Sequence, residues 1–205
     1  MKFFCVFIWG CILIMGCNPV DRANRIANKN KVNVIYPSGP FDSLQAKSAL
    51  AIGKSIIQGV AFTKPKTNLG YKAPLAKRIY GANIRVVLYP VTPYFEEWYN
   101  LRNKKEGKKT RVYLSDAAAR YGLATNTDEY GRFTFKQMKP GKYFIQAILD
   151  WHHTTSANVY QGSGYDGYGR TDYYTRQYYN VEHSDRLEKF ITIENEGETV
   201  KVSLK

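Results

Sequence analysis

Residues 124–149 constrain the fold most, because they contain three short strands joined by two well-specified turns. Asp128 and Gly131 bound a four-residue turn in which Gly provides a positive φ, the pattern of a type I turn with a G1 bulge. Pro140 and Gly141 are typical of the two central positions of a type II turn. Strands of alternating polarity separated by such turns predict antiparallel sheet in this part of the chain.

The same alternation recurs on both sides of this passage. Further strands are predicted at residues 55–63, 83–89, 187–193 and 199–204, the last two as a hairpin through Gly197. Short helices are predicted at 44–50, 95–105 and 116–121, the first with Asp42 or Ser43 as its N-cap. No βαβ rhythm is visible. About seven strands predict an all-β fold, an antiparallel seven-stranded β-sandwich with short helical insertions.

Four segments carry a family resemblance: Gly59 to Phe62, Gly81 to Leu88, Thr127 to Phe135, and Lys139 to Tyr143. Together they resemble the bacterial carboxypeptidase regulatory-like domains, in a pattern of strand, "G-a-x-V-x-L" strand, "T-D-x-x-G-x-F" hairpin and "P-G-x-Y" turn. The resemblance implies a transthyretin-like (prealbumin-like) sandwich. It implies no particular activity, because such domains serve as spacing and binding modules on many unrelated proteins.

The N-terminus points to export. Lys2 precedes an apolar run at residues 3–15, which has the length of a signal peptide rather than a transmembrane helix. The following Ile14-Met15-Gly16-Cys17 resembles a bacterial lipobox. That resemblance implies a signal peptide at 1–16, lipidation of the Cys17 sulfur and acylation of the new N-terminus. Asn18 in the next position implies an outer-membrane lipoprotein, by analogy with enterobacterial sorting.

The remaining chain is predicted as a polar tether at 17–40 and a sandwich domain at 41–205 with insertions at 90–122 and 151–181. In the second insertion, residues 151–169 are predicted as a polar, Gly-rich loop. The formal net charge of +13 falls by one when Lys2 is removed with the signal. On an exported protein this charge favours envelope anions over nucleic acid, or is simply a solvated basic surface at 64–78 and 102–111.

No catalytic, cofactor or metal motif is recognisable. Trp151 is followed by His152 and His153, but adjacent histidines on a strand point to opposite faces, and no spacing fits a zinc site. No nucleophile elbow, phosphate-binding loop or dinucleotide fingerprint occurs. The prediction is therefore a protein that is not an enzyme, with no metal and no cofactor. A hydrolase remains the weaker alternative, and it would need a pocket uniting at least two of Asp150, His152 and His183.

Residues 160–179 are the most unusual segment, since they hold seven of the 17 tyrosines. Tyrosine combines an apolar face with a hydrogen-bonding tip, which suits recognition surfaces. The leading prediction is a lipid-anchored scaffold or binding module for an envelope protein. The alternative is carbohydrate binding on an aromatic platform. A third hypothesis is that the tyrosines only cover the edge of the sandwich. The predicted contact residues are Trp151, Tyr165, Tyr168, Tyr173 and Tyr174.

Overall fold

The computed structural model describes residues 19–29, 31–65 and 75–205. The predicted signal peptide, Cys17 and most of the basic stretch at 64–78 lie outside these residues. The helices are α1 (Pro19–Lys29), α2 (Ser43–Ala49), α3 (Pro93–Lys105) and α4 (Asp116–Ala119). The strands are β1 (Asn33–Ile35), β2 (Ser55–Thr63), β3 (Ile79–Tyr80), β4 (Arg85–Pro90), β5 (Thr110–Val112), β6 (Leu123–Asn126), β7 (Arg132–Met138), β8 (Gly141–Asp166), β9 (Gly169–Ile193) and β10 (Thr199–Leu204).

Two four-stranded sheets form a sandwich, which confirms the all-β prediction. The first sheet has the order β10-β2-β3, with β7 also paired to β2, and the second has the order β6-β4-β8-β9. The described residues form ten strands rather than about seven, because β1, β3 and β5 are too short for alternation to reveal them. Most pairs are antiparallel, but β10 runs parallel to β2. The predicted hairpin of residues 187–204 is therefore wrong, since the turn with Gly197 leads from one sheet to the other.

The core fills the space between the inner faces of the sheets. Gly59 of β2 lies opposite Phe133 of β7, and a Cβ at Gly59 would overlap the Phe133 ring. This close approach explains a glycine in the middle of a strand. The other large, fully buried side chains come from every long strand, and they include Ile57, Leu88, Tyr143, Ile145, Leu187, Ile193 and Leu204.

Helix α3 adds a third layer on the outer face of the second sheet. It begins at the Thr92 N-cap with Pro93 in its first turn, two residues before the predicted start at 95. Phe95 and Trp98 pack on Phe144 of β8, with ring centroids 5.1 and 6.2 Å apart. Phe144 is consequently fully buried although it lies on the outer face. The predicted insertion at 90–122 is thus a packed element.

The folded part begins earlier than predicted. Strand β1 pairs in parallel with β5, and the Ser38 backbone N and Oγ both donate to Glu97 at 2.8 Å. These hydrogen bonds hold the pKa of the Glu97 carboxyl below its usual range. The tether prediction for 17–40 is therefore wrong from residue 33 onward, because the short segment is held by pairing and side-chain contacts rather than by its own periodicity.

The two predicted turns each join one sheet to the other. Gly131 has a φ of +74°, its N–H donates to the Asp128 carbonyl at 3.0 Å, and the Asp128 carboxylate accepts from two backbone amides, which confirms the turn. Pro140 and Gly141 connect β7 to β8, and Gly141 has a φ of +155°. Just beyond, the Tyr143 hydroxyl lies 2.9 Å from the Lys139 carbonyl oxygen, and burial raises its pKa. These turns determine where β8 starts.

Among the described helices, none is long and apolar enough to cross a membrane.

Candidate functional site

Strands β8 and β9 continue far beyond the sandwich. They pair from Gly141 opposite Ile193 to Asp166 opposite Gly169, interrupted only at Gln161. Strand β4, by contrast, pairs with β8 only as far as Ala147. We call residues 154–180 the arm and the other described residues the body. At about 3.3 Å per residue, the part of β8 beyond Trp151 spans roughly 50 Å. The predicted loop at 151–169 is therefore wrong, because these residues form one strand of a long hairpin.

The tip of the arm is a tight turn. Gly167 and Tyr168 connect the strands, and the Asp166 carboxylate accepts from the backbone N–H groups of Tyr168 and Gly169 at 2.9 and 3.1 Å. Gly169 has a φ of +133°, which a side chain would strain. A bulge at Gln161 shifts the register between Tyr160 and Gly162. Aspartate and glycines thus specify the turn, in the way that sequence rules assign to short hairpins.

Alternation along the two strands gives the arm two faces. The inner face continues the core side of β8, and the outer face continues the side on which α3 packs. The inner face holds Thr155, Ala157, Val159, Tyr173, Thr175, Gln177 and Tyr179. The outer face holds Thr154, Ser156, Asn158, Tyr160, Ser163, Tyr165, Arg170, Asp172, Tyr174, Arg176, Tyr178 and Asn180.

The tyrosines of the arm are exposed on both faces. Tyr168 at the tip is fully exposed, and the predicted contact residues Tyr165, Tyr173 and Tyr174 are 77%, 57% and 59% exposed. Tyr178, which the sequence analysis left out, is 70% exposed. The structure therefore does not use these side chains to cover the edge of the sandwich. The strand period alone places Tyr178 on the same face as Tyr174, with Arg176 between them.

Trp151 lies at the base of the arm and belongs to the body. It is 9% exposed, and its Nε1 donates to the Asp185 carboxylate at 3.1 Å, which also accepts from Thr63 at 2.6 Å. The prediction of Trp151 as a contact residue is wrong in this respect, because the end of the core buries it. Its ring stacks on His183 at 4.3 Å, and His183 Nε2 lies 3.0 Å from His153 Nδ1. This stack closes the sandwich where the arm leaves it.

The three candidate catalytic residues lie close together at the base of the arm. Asp150 and His152 share the outer face of β8 and line a hollow that also reaches His183, although the His183 ring stacks on Trp151 on the inner face. This hollow brings together the residues that the hydrolase alternative requires. The histidines occupy strands rather than the predicted loop. Across residues 19–29, 31–65 and 75–205 there is no group of three or more His, Cys, Asp or Glu side chains that could hold a metal ion.

A polar cluster orders the outer face near the tip. Arg170 Nε donates to the Asp172 carboxylate at 2.7 Å and to Ser163 Oγ at 3.1 Å. Ser163 also contacts Asp172 and the Tyr160 hydroxyl, and the Tyr160 ring meets Tyr174 edge-on at 5.8 Å. These contacts link both strands across the bulge, so they fix the orientation of side chains that the body does not touch.

The arm differs from the body in charge as well as in burial. Residues 154–180 contain two Asp and two Arg, with no Lys and no Pro, although the chain carries 30 Lys and Arg and a net charge of +13. The basic excess therefore lies outside the arm. Tyr and Arg are enriched at protein interfaces, and Tyr, Ser, Gly and Asn are enriched in the binding loops of antibodies.

Comparisons with known proteins give a structural neighbour but no family. No family's sequence profile matches the chain, and no curated protein matches it. Among solved structures, the crystal structure of a "putative carbohydrate binding protein" from Pseudomonas aeruginosa resembles this one, with a TM-score of 0.52 and 20% sequence identity. The resemblance covers 81% of this chain and 97% of the neighbour. At this identity the likeness concerns the fold alone.

Proposed function

We propose that this chain is a lipid-anchored binding protein of the bacterial cell envelope, without enzymatic activity, whose arm engages a protein partner. The arm carries this proposal. It projects roughly 40 Å from the body at about 3.3 Å per residue, exposes tyrosines on both faces and has no net charge. The body, by contrast, buries most of its large apolar side chains in a well-filled core.

A protein partner fits the arm better than a small ligand does. An isolated two-stranded hairpin is marginally stable in water, and its edges present unpaired backbone N–H and C=O groups. A partner that adds a strand satisfies those groups and gives exposed aromatic side chains a surface to pack on. A small ligand on one face would leave the edges and the opposite face open.

The anchor would hold the arm near its partner. The Ile14 to Cys17 sequence resembles a lipobox, and several acyl chains hold a protein firmly because each buried methylene contributes about 0.8 kcal/mol. Replacing Cys17 by Ser is expected to release the protein from the membrane fraction and to remove the lipid mass. A protein that stays membrane-bound with an uncleaved N-terminus would contradict the lipid anchor.

Carbohydrate binding is the second candidate, because the outer face presents Tyr165, Tyr174 and Tyr178 and the P. aeruginosa neighbour bears that description. The edge-on contact between Tyr160 and Tyr174 argues against one flat platform. A glycan array with the parent and the Tyr174→Ala/Tyr178→Ala variant tests this candidate. Binding that disappears in the variant supports it, and an array without signal eliminates it.

Site-specific photo-crosslinking in intact cells tests the protein-binding proposal. A photoreactive amino acid replaces Tyr168 at the tip or, as a matched control, Tyr113, a body tyrosine that is 51% exposed. The proposal predicts a discrete protein adduct at position 168 that is absent at position 113. Equal adducts at both positions, or none at 168, would contradict it.

A further inference from the structure

Strand β9 has an unusually long free edge. It ends the strand order β6-β4-β8-β9, so within residues 19–29, 31–65 and 75–205 no strand pairs with its outer side over 25 residues. An edge of this length is a template for another strand, and folded proteins usually protect such edges with charges, Pro, bulges or a covering element. The free edge of β9 therefore requires either protection or an occupant.

Protection is present on one half of this edge and weak on the other. The half within the body, residues 181–193, carries five charged side chains among thirteen residues: Glu182, Asp185, Arg186, Glu188 and Lys189. The half within the arm, residues 169–180, carries only Arg170, Asp172 and Arg176 among twelve residues. An incoming strand is thus discouraged beside the body and tolerated along the arm.

The three charges on the arm are self-complementary. Consider a two-fold antiparallel pairing of β9 with its copy. Directly opposed residues lie on the same face of the sheet, so their numbers differ by an even amount. The two-fold axis therefore passes through a residue that is opposite its own copy. An axis at Tyr174 places Asp172 opposite Arg176 of the copy, twice, and Arg170 opposite Tyr178. Axes at 170, 172, 173 and 176 each bring like charges together. An axis at 171 also opposes Arg170 to Asp172, but its ladder covers only residues 169–173, against 169–179 for the axis at Tyr174. An axis at 179 opposes the arm charges to body charges, of which Arg186 and Glu188 already pair with Glu106 and Arg102.

We infer that the arm pairs edge to edge with the arm of a second copy of this chain, in an antiparallel register centred on Tyr174. This inference rests on the proposed function and names the partner. The resulting sheet has four strands, β8-β9 from each copy, which is enough for independent stability where two strands are not. The tyrosines of both copies then line two continuous faces.

The geometry also separates the charged bodies. In this register the two His183 residues at the bases of the arms are offset by eighteen residues, or about 60 Å along the strands. This distance far exceeds the Debye length of about 8 Å at physiological ionic strength, so the positive charges of the two bodies do not oppose pairing. A neutral arm is therefore suited to joining two strongly basic bodies.

Cysteine crosslinking of the full-length, detergent-extracted protein tests the register. Tyr174→Cys places two thiols on directly opposed residues, whose Cβ atoms lie about 5 Å apart, and mild oxidation is expected to give a covalent dimer. Tyr178→Cys is the matched control on the same face, since its two copies lie about 26 Å apart along the strands. The parent chain, with its native cysteines, sets the background. Equal dimer yields at 174 and 178, or none above background at 174, would overturn the register.

Charge exchange tests the pairing without new cysteines. Asp172→Arg and Arg176→Asp each turn two attractive cross-strand pairs into repulsive ones, so each should weaken the dimer about tenfold. The double variant restores complementarity, and an equimolar mixture of the two single variants should form heterodimers. Mass measurements of the protein in detergent give the fraction of dimer. Unchanged dimer formation in both single variants would contradict self-pairing. A parent protein that is monomeric at every concentration would also contradict it.

The two proposals fail in different ways. A monomeric protein that still gives a heterologous adduct at position 168 eliminates the second copy as partner and leaves the binding function of the arm intact. A monomeric protein without any adduct at 168 eliminates both.

Discussion

Strands β8 and β9 run through both the body and the arm, but their surroundings in the two regions are opposite. In the body, β8 and β9 alternate cleanly, and their inner side chains, such as Ile145 and Leu187, are excluded from water. In the arm, the same strands keep their hydrogen-bond ladder but have no second sheet to pack against, and both faces are open. The body is thus held by burial, whereas the arm depends on its ladder, a polar cluster and, in our proposal, a partner.

The largest expected difference concerns buried aromatic packing. Phe144→Ala removes a fully buried ring between β8 and α3 and should destabilise the protein by about 4 kcal/mol, because it leaves a cavity. Tyr174→Ala in the arm, where the side chain is 59% exposed, should change the stability of the isolated chain by less than about 0.5 kcal/mol. Urea unfolding of both variants provides the measurement, and equal losses would break the comparison.

The second largest difference in stability is expected between the ion pairs of the body and those of the arm. Arg102 is 5% exposed, lies 4.5 Å above the Trp98 ring and pairs with Glu188, one of whose carboxylate oxygens is buried without a hydrogen-bond partner. Arg102→Ala should cost about 3 kcal/mol, because it removes the nearer cationic partner of that carboxylate and leaves only Arg186 Nε at 3.7 Å.

The matched ion pair lies in the arm. Arg170 is 54% exposed and pairs with Asp172. Arg170→Ala should therefore cost less than about 1 kcal/mol in urea unfolding of the isolated chain, because solvent screens exposed pairs. A cost for Arg170→Ala as large as that for Arg102→Ala would contradict the view that water surrounds the arm.

Two glycines extend the comparison to backbone packing. Gly59→Ala should destabilise the body by about 2 kcal/mol, because the new methyl group displaces the buried Phe133 ring. Gly167→Ala at the tip meets no atom within 4 Å, so its melting temperature should match the parent's. Differential scanning calorimetry of both variants distinguishes them, and a parent-like Gly59→Ala would show that the sheets are packed more loosely than described.

Low pH should lower the stability of the body by protonating Glu106, which follows α3. Hydrogen bonds from Arg186 and the charges of Arg186 and Arg102 lower the pKa of the Glu106 carboxyl. Because the pKa is lower in the folded state, this stabilisation is present above the unfolded value of about 4.3 and is lost as pH falls through the folded pKa. Glu106→Gln should therefore flatten the fall in melting temperature between about pH 5 and pH 3. Glu129→Gln, on an exposed turn, is the control, and an equal flattening there would refute the cause.

The sequence predicts the body well and the arm poorly, for a physical reason. Strand β2 was predicted over the range observed, residues 55–63, since burial of one face makes its polarity alternate. Residues 151–169 were predicted as a loop because a strand exposed on both faces shows no such alternation. The parallel pairing of β10 with β2 is equally hidden, because nothing local records which strand a distant segment joins.

The candidate site was only partly accessible to sequence reasoning. The clustering of tyrosines in 160–179 predicts this segment as the contact surface, and the structure shows that Tyr165, Tyr168, Tyr173 and Tyr174 are exposed. Trp151 was misplaced, because its burial depends on where the first sheet ends. The free edge of β9 and its self-complementary charges emerge only when the strand order is known.

Hydrogen exchange across the arm tests the central claim most directly. The full-length protein in detergent is measured at concentrations above and below the onset of dimer formation, with Asp172→Arg and the Asp172→Arg/Arg176→Asp double variant alongside. We predict that the amides of residues 169–181 gain protection with concentration in the parent and the double variant but not in the single variant. Protection of these amides that is independent of concentration and of the charge exchange would contradict an arm that is completed by a second copy.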